Sequence, residues 1–418
     1  MLLQFLVSNY ASIKDEKILS LEPSSDIDHY ENIICKSAGK ALNLIAIYGA
    51  NASGKTSLFR AMTTALNYIR HSNEMQINQP IPVNAFRFDD ATAAAPGKFE
   101  FTFIASDGLK YIYGFSADKQ RVHEEYLYVY KSAKASMLFD RHFDEFKFPR
   151  SEKKNLEILM RMNTSNKLFL ATATAWNAVC TTIPFKWLSE GIDSYTNDDN
   201  ITGMALDMYR KEEAANVEFT KKLMKQADIN ISDISVESKK ITEAGSALFP
   251  GLIINGQLIQ TRENYEIKIS TGHTVTDETG EEKTYTLDFG EESLGTKQLF
   301  YMAPLLRDTF EKGKVLVIDE IDRSLHPFIV KFLVNLFRNK KINTLGAQLI
   351  FTTHETTLLS LDTFRRDQIF FTEKDAVTGA TDIYSLDDFS VRKTDNIEKG
   401  YLIGRYGAIP FLHTEEIV

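Results

Sequence analysis

Cysteine is almost missing from this 418-residue chain: Cys35 and Cys180 stand 145 positions apart. They offer neither a zinc-ligand spacing nor a disulfide framework, and so little thiol suits a reducing cytosol. No apolar run approaches the ~20 residues that span a bilayer. The opening MLLQFLVSNYASIKDE lacks a basic n-region and turns polar by Ser8, so no signal peptide is expected. A cytoplasmic location with no membrane partner is the expectation. Basic charge is also short, with 48 Lys and Arg against 57 Asp and Glu for a formal net charge of −9. A protein that coats nucleic acid over its whole surface is normally basic, which leaves a local basic groove as the form such binding could take. Internal repeats and low-complexity tracts are lacking too. What remains is ordinary globular material, 43% hydrophobic and 25% charged, enough for two or three domains of ~100–200 residues.

The opening reads as paired strands, with Leu3, Phe5 and Val7 alternating and a second short run at 17–21. From 80 to 140, aromatic-rich segments punctuated by Asp107-Gly108 and Asp118-Lys119 predict an antiparallel meander. Its Phe99, Phe101, Phe103, Tyr111, Tyr113 and Phe115 alternate like the buried face of a sheet, and Tyr126, Tyr128 and Tyr130 read similarly. Residues 151–227 look mainly helical, broken near Pro184 and at 196–200, and 229–290 return to strands with a hairpin tip over 271–283. After Glu291 helices alternate with strands, which argues for a parallel α/β sheet.

Leu42–Tyr48 is a nearly continuous apolar run, as in a strand buried on both faces. It leads straight into Gly49-Ala50-Asn51-Ala52-Ser53-Gly54-Lys55-Thr56 and a helical pattern over 57–71. This matches the phosphate loop G-x-x-x-x-G-K-S/T in its required context of strand, loop and helix. Glycine lets the backbone curl until its N–H groups surround a phosphate at a helix N-terminus; Lys55 would reach the β- and γ-phosphates, and Thr56 would place a hydroxyl on Mg²⁺. Gly49, Asn51, Ser53, Gly54, Lys55, Thr56 and Ser57 are the expected contacts to ATP.

A second apolar strand, Val315-Leu316-Val317-Ile318, ends in Asp319-Glu320. Carboxylates there stand where open α/β sheets hold their ligands, with Asp319 in the Mg²⁺ shell and Glu320 polarising the attacking water. Ser293-x-Gly295 opens a helix and either caps it or presents a hydroxyl and N–H groups to an anion. Asp322-Arg323-Ser324-Leu325-His326-Pro327 leads into the next helix, and the strand from Gln348 ends at His354.

In this order the five elements resemble ABC-type ATPase heads, which include SMC proteins, RecF-like repair ATPases and the OLD family. The agreement is closest with the RloA/AbiL-like ATPases of abortive-infection and restriction-linked bacterial operons. Further matches are Phe5-x-Val7-x-Asn9-Tyr10-x-Ser12-Ile13 and the tail Gly404-Arg405-Tyr406-Gly407-Ala408-Ile409-Pro410. The resemblance touches both ends and is weak over roughly 75–285. It implies an α/β fold, an ABC-type P-loop head with a mixed sheet, an antiparallel β-subdomain, and a compact helical and β insertion between the phosphate loop and the Ser293 motif. It also implies head-to-tail pairs that trap ATP. In these, Ser293 and Gly295 contact the γ-phosphate across the interface, Asp322 belongs to the interface loop and His354 senses the γ-phosphate. The glutamine that usually bridges the metal to the lobe has only Gln76 and Gln79 as candidates.

The expected division is 1–150 as the first half of the head, 151–290 as the insertion lobe, and 291–418 as the second half. Thr56 and Ser293 stand 237 positions apart, without the sustained heptads of a long coiled coil between them; 204–226 would be a short helical arm, interrupted by Arg210-Lys211-Glu212-Glu213. Modest basic clusters such as Arg338-Asn339-Lys340-Lys341 read as solvated faces or as phosphate-backbone contacts. Only 64 residues follow His354, too few for the nuclease domain of OLD proteins, so a separate effector, a nuclease or toxin, is expected. The function expected from the resemblance is an ATP-hydrolysing sensor or regulator of an anti-phage system, assembled as a homodimer or higher homo-oligomer. The alternative is a DNA-binding repair ATPase of the RecF or SMC sort, with nucleic acid as partner.

Overall fold

The apolar run before the phosphate loop becomes the middle of a sheet covered on both faces. The computed structural model describes residues 1–196, 198–241, 252–254, 257–259 and 264–410. Its N-terminal part forms β1 (Leu2–Ser8), β2 (Lys17–Ser20), β3 (Ile33–Lys36), β4 (Gly39–Leu42), β5 (Leu44–Gly49), α1 (Lys55–His71), α2 (Asp90–Ala93), β6 (Gly97–Ile104), β7 (Lys110–Ala117), β8 (Val122–Tyr130), β9 (Ala135–His142) and β10 (Glu145–Lys147). The middle forms α3 (Lys153–Met160), α4 (Phe169–Ala175), α5 (Val179–Glu190), β11 (Ile192–Tyr195), α6 (Asp198–Lys211), α7 (Glu213–Gln226), β12 (Asp233–Ile241), β13 (Leu252–Ile254), β14 (Gln257–Ile259), β15 (Asn264–Thr276) and β16 (Glu282–Asp288). The remainder forms α8 (Leu294–Lys312), β17 (Val315–Ile318), α9 (Pro327–Arg338), β18 (Gln348–Thr352), β19 (Ile369–Lys374), β20 (Thr381–Ser385) and α10 (Ile397–Leu402).

The central sheet has the order β11-β17-β18-β5-β19-β20, parallel except for β20. Alternation along β5 sends Ile45 and Ile47 into one core with α1 and the antiparallel sheet; Leu44, Ala46 and Tyr48 enter a second core with α8 and α9. Both faces are therefore dry, which is why the text of this strand lacks polar positions. Residues 192–195, within the expected insertion, supply the edge strand β11 of this sheet. Among the described residues no helix is long and apolar enough to cross a membrane.

A second, antiparallel sheet runs β10-β9-β8-β7-β6-β1-β2. The expected meander is present, and Phe99, Phe101, Phe103, Tyr111, Tyr113 and Phe115 are buried in it. Tyr126, Tyr128 and Tyr130 differ: they are only half-buried, because Glu125, Leu127 and Val129 take the inward positions of β8. The Tyr126 hydroxyl donates to Glu100, and that of Tyr128 to Asp140 at 3.0 Å. Glu125 is fully buried and accepts from the N–H groups of Phe169 (2.6 Å) and Leu170 (2.9 Å), the Tyr113 hydroxyl (3.0 Å) and Arg141 Nη1 (3.4 Å). One carboxylate thus ties three strands to the N-terminus of α4.

Pro184, expected to break a helix, lies inside α5; packing of this helix, including Trp187 stacked on Phe103 at 4.2 Å, holds it together across the missing hydrogen bond. The helices α6 and α7 part at Glu212, inside the expected charge run, but they are not an arm. They lie on α8, where Tyr209 stacks on Phe300 at 4.4 Å and donates to its carbonyl at 3.0 Å, and Arg307 pairs with Glu212 at 2.8 Å. A third sheet, β12-β15-β16, turns at 277–281, inside the expected hairpin tip. Of the expected strand region, residues 242–251, 255–256 and 260–263 lie outside the described residues, as do those after 410.

Candidate nucleotide site

Four neighbouring parallel strands, β17, β18, β5 and β19, end at one edge of the sheet, the edge at which open α/β sheets bind ligands. The phosphate loop follows β5, Asp319 and Glu320 follow β17, His354 follows β18, and Thr372 stands near the end of β19. Adjacent strands therefore bring together residues that are hundreds of positions apart in sequence.

The loop is fixed by hydroxyls. Ser53 Oγ lies 2.6 Å from Thr372 Oγ1. Thr381 Oγ1 lies 3.0 Å from the Ser53 carbonyl and 2.8 Å from Ser12 Oγ, which lies 2.8 Å from Ser57 Oγ. Gly54 caps α1 with φ +111°, and a Cβ there would stand 2.2 Å from Thr381 Oγ1; both the backbone and the space demand glycine. Lys55 is buried and donates from Nζ to the carbonyls of Gly49 (2.7 Å) and Ala50 (3.0 Å), curled over its own loop. Burial pulls its ammonium below the usual lysine pKa, while the charges of Asp319, Glu320 and Asp322 act in the opposite direction.

Thr56 Oγ1 donates to Asp319 Oδ2 at 2.7 Å. The other oxygen of Asp319 accepts from Thr352 Oγ1 at 2.6 Å, and Thr352 Oγ1 accepts in turn from the Glu320 N–H at 2.7 Å. Glu320 is exposed and has φ +54°, left-handed geometry that side chains other than glycine seldom adopt. One hydroxyl and one carboxylate, both hard oxygen donors, fit Mg²⁺, which keeps waters and substrate phosphates as its remaining ligands. Among the described residues no group of three or more His, Cys, Asp or Glu is placed to hold a metal ion.

Asp322 Oδ2 accepts from the His354 N–H at 3.1 Å, which ties the loop after β17 to the one after β18. Its other oxygen is buried and has no hydrogen-bond partner among the described residues. The His354 ring is exposed. Ser293 and Gly295 are engaged elsewhere: Ser293 Oγ caps α8 by accepting from Thr296 N at 3.1 Å, and a Cβ on Gly295 would stand 2.8 Å from the Ser324 carbonyl. The N-terminus of α8 is thus docked on the loop after β17 of its own chain. Asn51 lines a cleft of about 400 Å³ with Phe88, Lys374, Ala408 and Ile409, which is where the tail motif ends. Gln76 and Gln79 follow the far end of α1, a helix about 25 Å long at 1.5 Å per residue, and the phosphate loop lies at its other end.

Sequence reasoning missed Thr352, Thr372 and Thr381. Their hydroxyls hold Asp319, Glu320 and the loop, but threonine in a strand is ordinary β-propensity. The one available signal was the Thr352-Thr353 pair immediately before His354.

A P-loop head of ABC type, with phosphate loop, strand-end carboxylates and capped helix, is the class of protein that this fold and site define. The chain belongs to the family described as "AAA domain, putative AbiEii toxin, Type IV TA system", which matches residues 44–169 and 186–360. No curated protein matches the chain. Among solved structures it is similar to an SMC head bound to the C-winged-helix domain of ScpA (12% identity, 92% of this chain and 97% of that one, TM-score 0.41). It is similar also to the SMC head domain from Thermotoga maritima (12%, 92% and 98%, 0.40) and to the recombination mediator RecF with ATP (15%, 92% and 97%, 0.37).

Proposed function

We propose that this protein is the ATP-hydrolysing regulator of a bacterial anti-phage system, acting in the cytoplasm through ATP-dependent pairing of its heads on a separate nuclease or toxin effector. The observation that carries the hydrolytic part is the Thr56–Asp319–Thr352–Glu320 chain of contacts at the sheet edge. In this reading Lys55 and the N–H groups at the start of α1 bind the β- and γ-phosphates, and Thr56 and Asp319 hold Mg²⁺. The metal, when bound, neutralises charge on the phosphates. Glu320 takes a proton from water, and the His354 ring faces the γ-phosphate. Ser293 and Gly295 serve the γ-phosphate of a second copy, a role supported by the exposure of Ser293 and Leu294 at the end of α8. A helix N-terminus favours closure only while the trianionic group is there. We divide the molecule for this purpose into the two half-heads, 1–150 and 291–418, and an insertion, 151–290. The defence assignment draws on the family's description, which names a toxin system.

The test is Glu320→Gln. The variant keeps ATP affinity and stalls turnover, since only the water-polarising carboxylate is lost; with ATP and Mg²⁺ it accumulates as an assembled species, and Ser293→Arg abolishes that assembly. Weakened ATP binding in Glu320→Gln, or assembly that survives Ser293→Arg, would refute the site assignment or the pairing. Capture of the Glu320→Gln protein from its host with a stoichiometric effector supports the defence role. DNA alone, released by salt, supports the repair reading instead.

A further inference from the structure

The loop that leads into α8 is held residue by residue. Asp288 caps the short 289–291 turn, accepting from Gly290 N at 2.7 Å; Phe289 is buried 4.6 Å from Phe300; and Lys297 Nζ donates to the Gly290 carbonyl at 2.7 Å. Glu292, the residue before the capping Ser293, is the last point of attachment. Its Oε1 accepts from Thr271 Oγ1 at 2.5 Å and from His273 Nε2 at 2.7 Å. An ionised carboxylate only accepts, so both groups must donate. Thr271 is fully buried, and the Glu292 side chain is 8% exposed.

A glutamate one residue before a helix is an anion beside the helix's free N–H groups, and those groups attract negative charge. Released, the Glu292 carboxylate would compete with any phosphate for that end of α8. Bound to β15, it is turned away, and Ser293 caps the helix instead. Thr271 and His273 lie on one face of β15, two residues apart, with Leu287 and Tyr285 opposite them on β16. β16 then runs directly through the 289–291 turn into α8.

We infer that Thr271 and His273 are positioning residues for the nucleotide-sensing end of α8: by clamping Glu292 they keep its charge off the helix N-terminus and fix the Ser293 cap. The clamp makes the β12-β15-β16 sheet part of the ATP machinery. A load applied to this sheet, for instance at Tyr285, which is 57% exposed beside His273, is delivered to the helix end. The inference rests on the reading that this helix end meets the γ-phosphate of a second copy.

The experiment compares His273→Ala, His273→Gln and Thr271→Val in the full chain. Binding of a fluorescent ATP analogue to the single head is expected to stay within about twofold, because the phosphate loop is untouched. Turnover is expected to fall about tenfold in His273→Ala, the scale of one hydrogen bond to a charged group, and ATP-dependent assembly to require correspondingly more protein. His273→Gln, whose amide can still donate, is expected to restore both, and Thr271→Val to repeat the loss. Wild-type turnover in His273→Ala overturns the inference, as does a Gln variant as impaired as the Ala variant. If Ser293→Arg blocks assembly while His273→Ala does not, only the clamp is wrong. If Ser293→Arg assembles normally, the pairing itself is wrong.

Discussion

Replacing Thr352 with valine removes one hydroxyl from the centre of the site while keeping the shape of a fully buried side chain. That hydroxyl donates to Asp319 Oδ1 at 2.6 Å and accepts the Glu320 N–H at 2.7 Å. A hydrogen bond to a charged group contributes ~1.5–3 kcal/mol, and the part-buried Glu320 N–H, stripped of its partner, costs at most the ~1–3 kcal/mol of a buried one. The Glu320 backbone, at φ +54°, adds a left-handed conformation that costs ~1–2 kcal/mol and here loses a bond that holds it. These terms share one atom and do not add fully, so about 3 kcal/mol is the working figure. Expressed in the transition state it is roughly a 10²-fold loss of turnover. ATP affinity should change little, because Lys55 and the hydroxyls around the loop are left in place. Steady-state phosphate release and nucleotide titration separate the two effects, and Thr352→Ser, which restores the hydroxyl, should recover most of the rate. Wild-type turnover in Thr352→Val would show that Asp319 and Glu320 need no orientation from β18, and the reasoning would fail.

Glu125→Ala leaves Arg141 buried without its counter-charge and strips two N–H groups at α4 of their acceptor, so stability should fall by ~3–5 kcal/mol; denaturant melts would detect it, and an unchanged midpoint would contradict the packing. Gly54→Ala must adopt a strained backbone and drive a methyl into Thr381. Loss of ATP-analogue binding in a chain that still folds, judged by circular dichroism, is the expected result, and normal affinity would mean that the loop bends more freely than its hydroxyl contacts allow.

The parts of this site that the sequence exposes are those in which one short stretch carries both structure and chemistry. Gly49–Thr56 has its strand, its loop and its helix in one run, and Val315–Glu320 its apolar strand and both acids. Ser293 could be placed at a helix start, and it caps one. What stays hidden is pairing at long range. Thr381 and Ser53 are 328 positions apart, yet their contact closes the loop; neither residue type is unusual where it stands. The inward glutamate of β8 was equally hidden, because a carboxylate next to another, Glu124, reads as the wet face of a strand until Arg141 and two helix N–H groups are seen to meet it. The two helices on α8 read as an arm because a 23-residue helical pattern does not say what it packs against.

The neighbours of β5 also impose a timetable on synthesis. Both come from the far side of the chain, β18 at 348–352 and β19 at 369–374. A ribosome working at ~5–20 residues per second needs roughly 15–65 s to make the ~325 residues between β5 and the end of β19. For all that time β5 lacks both of its neighbours in the sheet, and only α1 and the antiparallel sheet are there to cover one of its faces. The hydroxyls of Thr372 and Thr381, which contact Ser53 of the loop, are made later than almost all of the chain, so the loop takes its finished form only near the end of synthesis.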